Sequence, residues 1–138
     1  MPINPDIRWK QRLTNFERSV QLLQQSLIIP NPDIITRAAI IQFFEVTMEL
    51  AWKTLKDYLE AQKFIEINSP KSVIKKAFET GLIKDGHGWM DALEDRNLTV
   101  HTYDEDKARD IECAIRNSYF PLLNSLLISL KNKTHEQE

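Results

Sequence analysis

Three side chains that could act together on a phosphate lie close to one another within residues 93–104. Arg96, His101 and Tyr103 bring a guanidinium, an imidazole and a phenol into one stretch of eight residues. A guanidinium offers a planar set of donors to phosphoryl oxygens, and an imidazole can move a proton near neutral pH. Cleavage of RNA by its own 2′-hydroxyl needs a base, an acid and a cation, without a metal ion. Arg96 and His101 are therefore candidate catalytic residues of a ribonuclease.

The local backbone decides whether these side chains can meet. On an unbroken helix Arg96 and His101 would point about 140° apart, and Asn97 would share a face with His101. The two β-branched residues between them weaken a helix at this point. If one helix ends near Leu98 and the next is capped at Thr102, both side chains can turn toward one space. The sequence leaves both geometries open.

A purely structural role is the competing interpretation of this segment. Acidic residues crowd it: Asp91, Glu94, Asp95, Asp104, Glu105 and Asp106. Arg96 could pair with Glu94, with Asp95 or with an acid of a partner chain, and His101 could cap a helix end. Close carboxylates would also favour protonated His101, which suits a general acid better than a resting base. Asp95 and Asn97 are additional candidate binding residues.

Length and composition predict one domain over residues 1–138. The chain has 42% hydrophobic and 28% charged residues, and its net charge of −2 gives no global attraction to nucleic acid. A single cysteine, Cys113, excludes an intrachain disulfide, and three scattered histidines make no metal spacing. We therefore predict neither a metal site nor a cofactor. With no apolar leader and no run near the ~20 residues that span a bilayer, we expect a cytoplasmic protein that does not enter membranes.

Hydrophobic periodicity predicts helices and no convincing strand. The predicted helices cover about residues 6–28, 34–63, a short stretch after Ser69-Pro70, 87–96 and 104–130. Asp33 is expected to cap the second helix, and Thr102 the last one through a capping box with Glu105. Pro121 is expected to kink the last helix, and residues 131–138 are expected to fray. The fold class is thus all-α: a four-helix up-and-down bundle with a short extra helix.

The second helix carries the prediction of a homodimer. Its polar residues occupy one strip roughly 80° wide: Gln42, Glu45, Glu49, Lys53, Lys56 and Glu60. The remaining positions are mostly apolar, and a helix that is apolar on nearly all sides is buried on nearly all sides. We expect the rest of this small bundle to cover only one side, so a second copy should cover much of the other. Glu45, near Trp52 at the strip's edge, is either a boundary residue or a functional carboxylate that binds a ligand.

Two long segments, in the right order, carry a family resemblance. Residues 43–59 (FFEVTMELAWKTLKDYL) and residues 93–105 (LEDRNLTVHTYDE) closely resemble the nucleotidyltransferase substrate-binding protein family, a HepT-like branch of the HEPN superfamily. The resemblance covers nearly the whole chain. It implies an HEPN-like four-helix bundle that dimerises and binds, as a second subunit, to a small nucleotidyltransferase encoded beside it.

The same resemblance implies roles for individual residues. The HEPN signature is an arginine, a short spacer and a histidine, with a tyrosine two positions later in the toxin subgroup; here these are Arg96, His101 and Tyr103. In that subgroup Arg96 and His101 would form a metal-independent RNA-cleaving centre across the dimer interface. Tyr103 would be the hydroxyl to which the partner transfers AMP, which silences the toxin. In the older view of the family, the subunit presents a substrate to the partner's catalytic site.

Two other functions remain open on the sequence. The chain could be a non-catalytic module that binds a nucleotide or an acceptor, or a purely structural dimerising bundle. It contains no nucleotidyltransferase motif, that is, no Gly-Ser followed by paired aspartates on a strand. We therefore expect no nucleotidyl transfer by this chain alone.

Overall fold

The computed structural model describes residues 4–97 and 104–136, and every regular element within these ranges is helical. The helices are α1 (Pro5–Leu27), α2 (Ile34–Ala61), α3 (Pro70–Glu79), α4 (Gly86–Asn97), α5 (Glu105–Ala114) and α6 (Phe120–Glu136). A π-helical segment, Ile115–Tyr119, joins α5 to α6, so the three form one continuous rod. The predicted all-α class is confirmed. The finer prediction of an up-and-down four-helix bundle stays a prediction.

Helix α2 is the centre of the fold. All the other α-helices pack against it, and its Ile40, Phe44, Met48 and Leu55 are fully buried. Most of its apolar residues are covered by the same chain, in part by the short helices α3 and α4, whereas Ile35 and Val46 stay exposed. The polar strip is left partly or fully exposed. The homodimer itself stays a prediction.

Side chains cap the helices largely where the sequence places them. Asp33 Oδ1 accepts a hydrogen bond from the backbone N–H of Thr36 at 2.7 Å, which confirms the predicted cap of α2. The cap of α5 is Asp104 and not Thr102: Asp104 Oδ1 accepts from the N–H groups of Asp106 and Lys107, at 3.1 and 3.3 Å. A carboxylate at this position satisfies two free amides and suits the positive end of the helix dipole. Thr102 lies outside the described residues.

The rod formed by α5, the π segment and α6 departs from a regular helix one turn before Pro121. The backbone N–H of Phe120 donates to the carbonyl of Ile115, five residues earlier. Proline has no N–H, and its ring crowds the carbonyl four positions before it; here that carbonyl belongs to Asn117, inside the widened turn. Helix α6 extends to Glu136, past the end predicted at residue 130. None of the helices in the described ranges is long and apolar enough to cross a bilayer.

Candidate functional site

Arg96 lies in the last turn of α4, and its guanidinium contacts the middle of α2. Arg96 Nη1 donates to Glu49 Oε2, and the two side chains are 22% and 40% exposed. The sequence suggested Glu94 and Asp95 as structural partners of Arg96 and missed Glu49, which is 47 residues away along the chain. The contact joins α4 to the exposed strip of α2 and places the guanidinium at the surface.

Glu49 gathers three donors around one carboxylate. Trp52 Nε1 donates to Glu49 Oε2 at 3.0 Å, Lys53 Nζ lies 3.1 Å from Oε1, and Arg96 supplies the third contact. Partial burial acts to raise the pKa of Glu49, but hydrogen bonds from Trp52, Lys53 and Arg96 outweigh it, so the pKa lies below its usual value. The carboxylate therefore stays charged near neutral pH and holds Arg96 as a counter-ion.

The residue next to Arg96 is held by a different part of the molecule. The hydroxyl of Tyr119, in the π segment, donates to Asp95 Oδ2, and the Tyr119 ring stacks on Phe44 with centroids 5.5 Å apart. Burial raises the pKa of Tyr119 well above its usual value, and the hydrogen bond to Asp95 together with the charges of Asp91 and Glu94 adds to the increase. Tyr119 thus remains a protonated donor, and Asp95 is engaged. Nothing in the local sequence singles out this tyrosine as part of the site.

Four other residues were predicted to belong to the site, namely Asn97, Glu45, His101 and Tyr103. Asn97 is exposed at the end of α4, directly after Arg96. Glu45 lies one turn before Glu49 on α2, is partly exposed, and has an interaction of its own. His101 and Tyr103 lie outside the described residues. Of the predicted site residues, the structure thus places Arg96 against Glu49 and Asp95 against Tyr119 at the end of α4.

Helix α5 begins after a residue that is not helical. Asp104 has an extended backbone, with φ −89° and ψ 110°, so α4 and α5 do not form one unbroken helix.

Within residues 4–97 and 104–136, no group of three or more histidine, cysteine, aspartate or glutamate side chains is arranged to hold a metal ion. A cavity of about 350 Å³, lined in part by Trp89, Ser125 and Ser129, lies between the α3–α4 connection and α6, and Arg96 does not line it.

Comparisons with known proteins were made on the sequence and on the fold. Probable ribonuclease HepT of Haemophilus influenzae (strain ATCC 51907 / DSM 11121 / KW20 / Rd) is 31% identical over 104 residues, which cover 72% of this chain. The chain spans 65% of the length of that curated relative. A crystal structure of a Thermus thermophilus protein has a TM-score of 0.76 at 37% identity, covering 81% of this chain and 95% of that one.

A second solved structure carries a functional description. It is a Haemophilus influenzae protein described as revealing the fold of a substrate binding domain of a nucleotidyltransferase. Its TM-score is 0.74 at 27% identity, covering 86% of this chain and 98% of that one. Residues 11–132 of the present chain match the family described as nucleotidyltransferase substrate binding protein like. Because this match takes in α2, α4 and the whole Arg96 segment, the chain belongs to the nucleotidyltransferase substrate-binding-protein-like family.

Proposed function

We propose that this chain is the HEPN-type accessory subunit of a minimal nucleotidyltransferase, and that the two form a toxin–antitoxin-like pair. Membership of the family supports the partnership, as does the similar fold described as the substrate binding domain of a nucleotidyltransferase. The similarity to a probable ribonuclease supports an RNA-cleaving activity that resides in this subunit.

In this proposal Arg96 holds the scissile phosphate and His101 moves a proton. The 2′-oxygen of the RNA attacks the adjacent phosphorus, the bond to the 5′-oxygen breaks, and a 2′,3′-cyclic phosphate and a 5′-hydroxyl result. The observation that carries the proposal is the surface position of the Arg96–Glu49 pair. A partly exposed ion pair contributes only about 0.2–1 kcal/mol, so a phosphate can replace Glu49 as the counter-ion of Arg96 at small cost.

We also propose that a second copy packs on the exposed face of α2. Ile35 and Val46 are 79% and 42% exposed, and their spacing of eleven residues puts them within about 20° of each other on the helix. Glu49 is three positions after Val46, so the Arg96–Glu49 pair lies beside this face. A dimer formed there would bring the two Arg96 sites toward one another.

Tyr103 is the proposed acceptor of AMP from the partner. Its phenolic oxygen would attack the α-phosphorus of ATP, the bond to the β-phosphate would break, pyrophosphate would leave, and the phenol would lose its proton. The new phosphodiester adds a negative charge two positions from His101. This charge would compete with RNA for the guanidinium of Arg96, which explains how the transfer could silence the nuclease.

A cleavage assay tests the nuclease. Arg96→Ala and His101→Ala should each lower the rate of RNA cleavage by about 10²–10⁴-fold, the range expected for a lost proton donor or charge stabiliser. Arg109→Ala is the matched control, because Arg109 is an exposed arginine on α5; its rate should equal that of the wild type. The wild-type rate should be unchanged by a chelator. Cleavage that survives both of the first two changes would remove Arg96 and His101 from the mechanism.

Mass spectrometry tests the transfer of AMP. Incubation with the partner nucleotidyltransferase and ATP should add one AMP to the wild type and none to Tyr103→Phe. A label on Tyr58 or Tyr119 would contradict the assignment. Both of these tyrosines are buried, so they also serve as internal controls for unspecific modification.

A non-catalytic binding module is the second candidate. The description of the similar Haemophilus influenzae fold as a substrate binding domain favours it. In this case the groups around Arg96 would hold a nucleotide or an acceptor for the partner and would cleave nothing. Calorimetry with ATP and with RNA, each with and without the partner, separates the two functions. Tight nucleotide binding in a protein that leaves RNA intact would favour the module.

A further inference from the structure

The π segment directs the buried side chain of Tyr119 toward α4. Ile115, Tyr119 and Leu123 are all buried, at 0%, 6% and 0% exposure, and they follow one another at steps of four. In an α-helix each step of four residues advances about 40° around the axis, so the side chains of Ile115 and Leu123 would point about 80° apart. A π turn contains more residues than an α turn, so it reduces this angle. The irregular turn thus keeps Tyr119 on the side of the rod that faces the core.

Tyr119 ties three elements together. Its ring stacks on Phe44 of α2, with 16° between the planes, and its hydroxyl donates to Asp95 of α4. Asp95 immediately precedes Arg96, whose guanidinium contacts Glu49 on α2. The last turn of α4 is therefore held on one side by the rod and on the other by α2.

We propose that Tyr119 is a positioning residue for Arg96: by binding Asp95 it fixes the last turn of α4 and thereby sets the direction of the guanidinium. The role rests on the ribonuclease function proposed above. Neighbouring side chains on a regular helix point apart, so Asp95 cannot easily reach Arg96 while the turn is intact. Without the tyrosine hydroxyl the turn loosens, and the freed carboxylate competes with phosphate for the guanidinium.

Tyr119→Phe removes the hydroxyl and keeps the ring on Phe44. Tyr58→Phe is the matched control, because Tyr58 is a buried tyrosine, at 7% exposure, whose ring packs edge-on against Trp9. Hydrogen exchange at residues 93–97 should become about tenfold faster in Tyr119→Phe and stay unchanged in Tyr58→Phe. The kcat for RNA cleavage should fall about 10–100-fold in Tyr119→Phe, as misplaced catalytic groups do, with KM within about threefold of the wild type.

Changes at Asp95 separate positioning from simple stability. Asp95→Asn keeps an acceptor for the hydroxyl and should retain kcat within about threefold of the wild type, whereas Asp95→Leu loses the contact and should lower kcat, though no more than Tyr119→Phe, because it also lacks the competing carboxylate. The double variant Tyr119→Phe/Asp95→Leu should be no slower than either single one, because both remove the same contact.

The outcomes distinguish this role from the proposed function. A wild type that cleaves no RNA overturns the ribonuclease function, and with it the catalytic importance of Tyr119. A wild type that cleaves RNA, with Tyr119→Phe equally fast, overturns the positioning role alone. Equal losses of kcat in Tyr119→Phe and Tyr58→Phe also overturn it, because general destabilisation would then explain both.

Discussion

Glu49→Gln tests whether Arg96 is available to a phosphate. Glutamine has the length of glutamate and keeps an oxygen that can accept from Trp52 and Arg96, but it removes the negative charge beside the guanidinium. If Glu49 and RNA compete for Arg96, the variant should bind RNA more tightly than the wild type. If Glu49 is instead required to hold Arg96 in place, the variant should bind RNA more weakly.

The exposure of the pair sets the size of the effect. The side chains of Arg96 and Glu49 are 22% and 40% exposed, and measured pairs of this kind contribute about 0.2–1 kcal/mol. One kcal/mol corresponds to about fivefold in an equilibrium constant, so RNA affinity should rise by at most about fivefold. For a chain of this length the same free energy changes Tm by about 3 °C.

Fluorescence anisotropy with a 2′-O-methyl oligonucleotide measures binding without cleavage. The gain in affinity should shrink between about 50 and 200 mM salt, because screening weakens the charge–charge term. Glu17→Gln is the matched control: Glu17 pairs with Lys131 at 2.5 Å, with 32% and 50% exposure, elsewhere on the surface. It should change Tm as little as Glu49→Gln and leave RNA affinity unaltered. When Arg96 is already replaced by glutamine, Glu49→Gln should improve RNA binding no more than Glu17→Gln does.

Two results would refute this reasoning. Weaker RNA binding by Glu49→Gln would mean that the carboxylate is needed to orient the guanidinium. A Tm lowered by more than about 10 °C would mean that the pair stabilises the fold far beyond the range for exposed pairs. Either result would favour the structural interpretation of Arg96.

Three further changes should have measurable effects. Glu112→Gln removes a carboxylate, 13% exposed, that bonds both Arg37 and Arg116. The free energy of unfolding measured in urea should fall by about 2–4 kcal/mol. A fall of less than about 1 kcal/mol would contradict the stabilising role of these ion pairs. The pKa of Tyr119 is raised in the folded state, so the folded protein keeps a proton that the unfolded chain releases near pH 10. The stability that Tyr119 contributes is therefore complete below about pH 10 and is lost as the pH rises further. The Tm of the wild type should therefore approach that of Tyr119→Phe above about pH 10, and parallel curves would contradict this. Val46→Glu should yield a monomer in sedimentation velocity with an unchanged helical spectrum, and a surviving dimer would place the second copy on another face.

Local features of the fold were predictable because they depend on neighbours in the sequence. The periodicity of apolar residues gave the extents of α1 and α2 to within a few residues. The caps at Asp33 and Ser69 form within a single turn: Ser72 N–H donates to Ser69 Oγ at 3.2 Å, and Ser69 N–H donates to Ser72 Oγ at 3.1 Å. Thr102 was a wrong prediction for the cap of α5, because Asp104 offers a stronger acceptor two positions later.

The partners of the site residues were not predictable from the sequence. Arg96 has acids as neighbours along the chain, yet the contact that joins it to α2 is with Glu49, 47 residues away, and Asp95 meets Tyr119 across 24 residues. Which of several acids reaches a guanidinium depends on how α2, α4 and the rod cross. That crossing is set by the packing of apolar faces, to which the charges themselves contribute little.

The sequence by itself determined the helical class, the family and the identity of the residues that could act on a phosphate, because periodicity and motif spacing are properties of short stretches. Only the tertiary structure decided that the other helices all pack on α2, that a π turn directs Tyr119 to Asp95, and that Glu49 is a counter-ion of Arg96. These contacts join residues that are distant along the chain, so they exist only once the helices have packed.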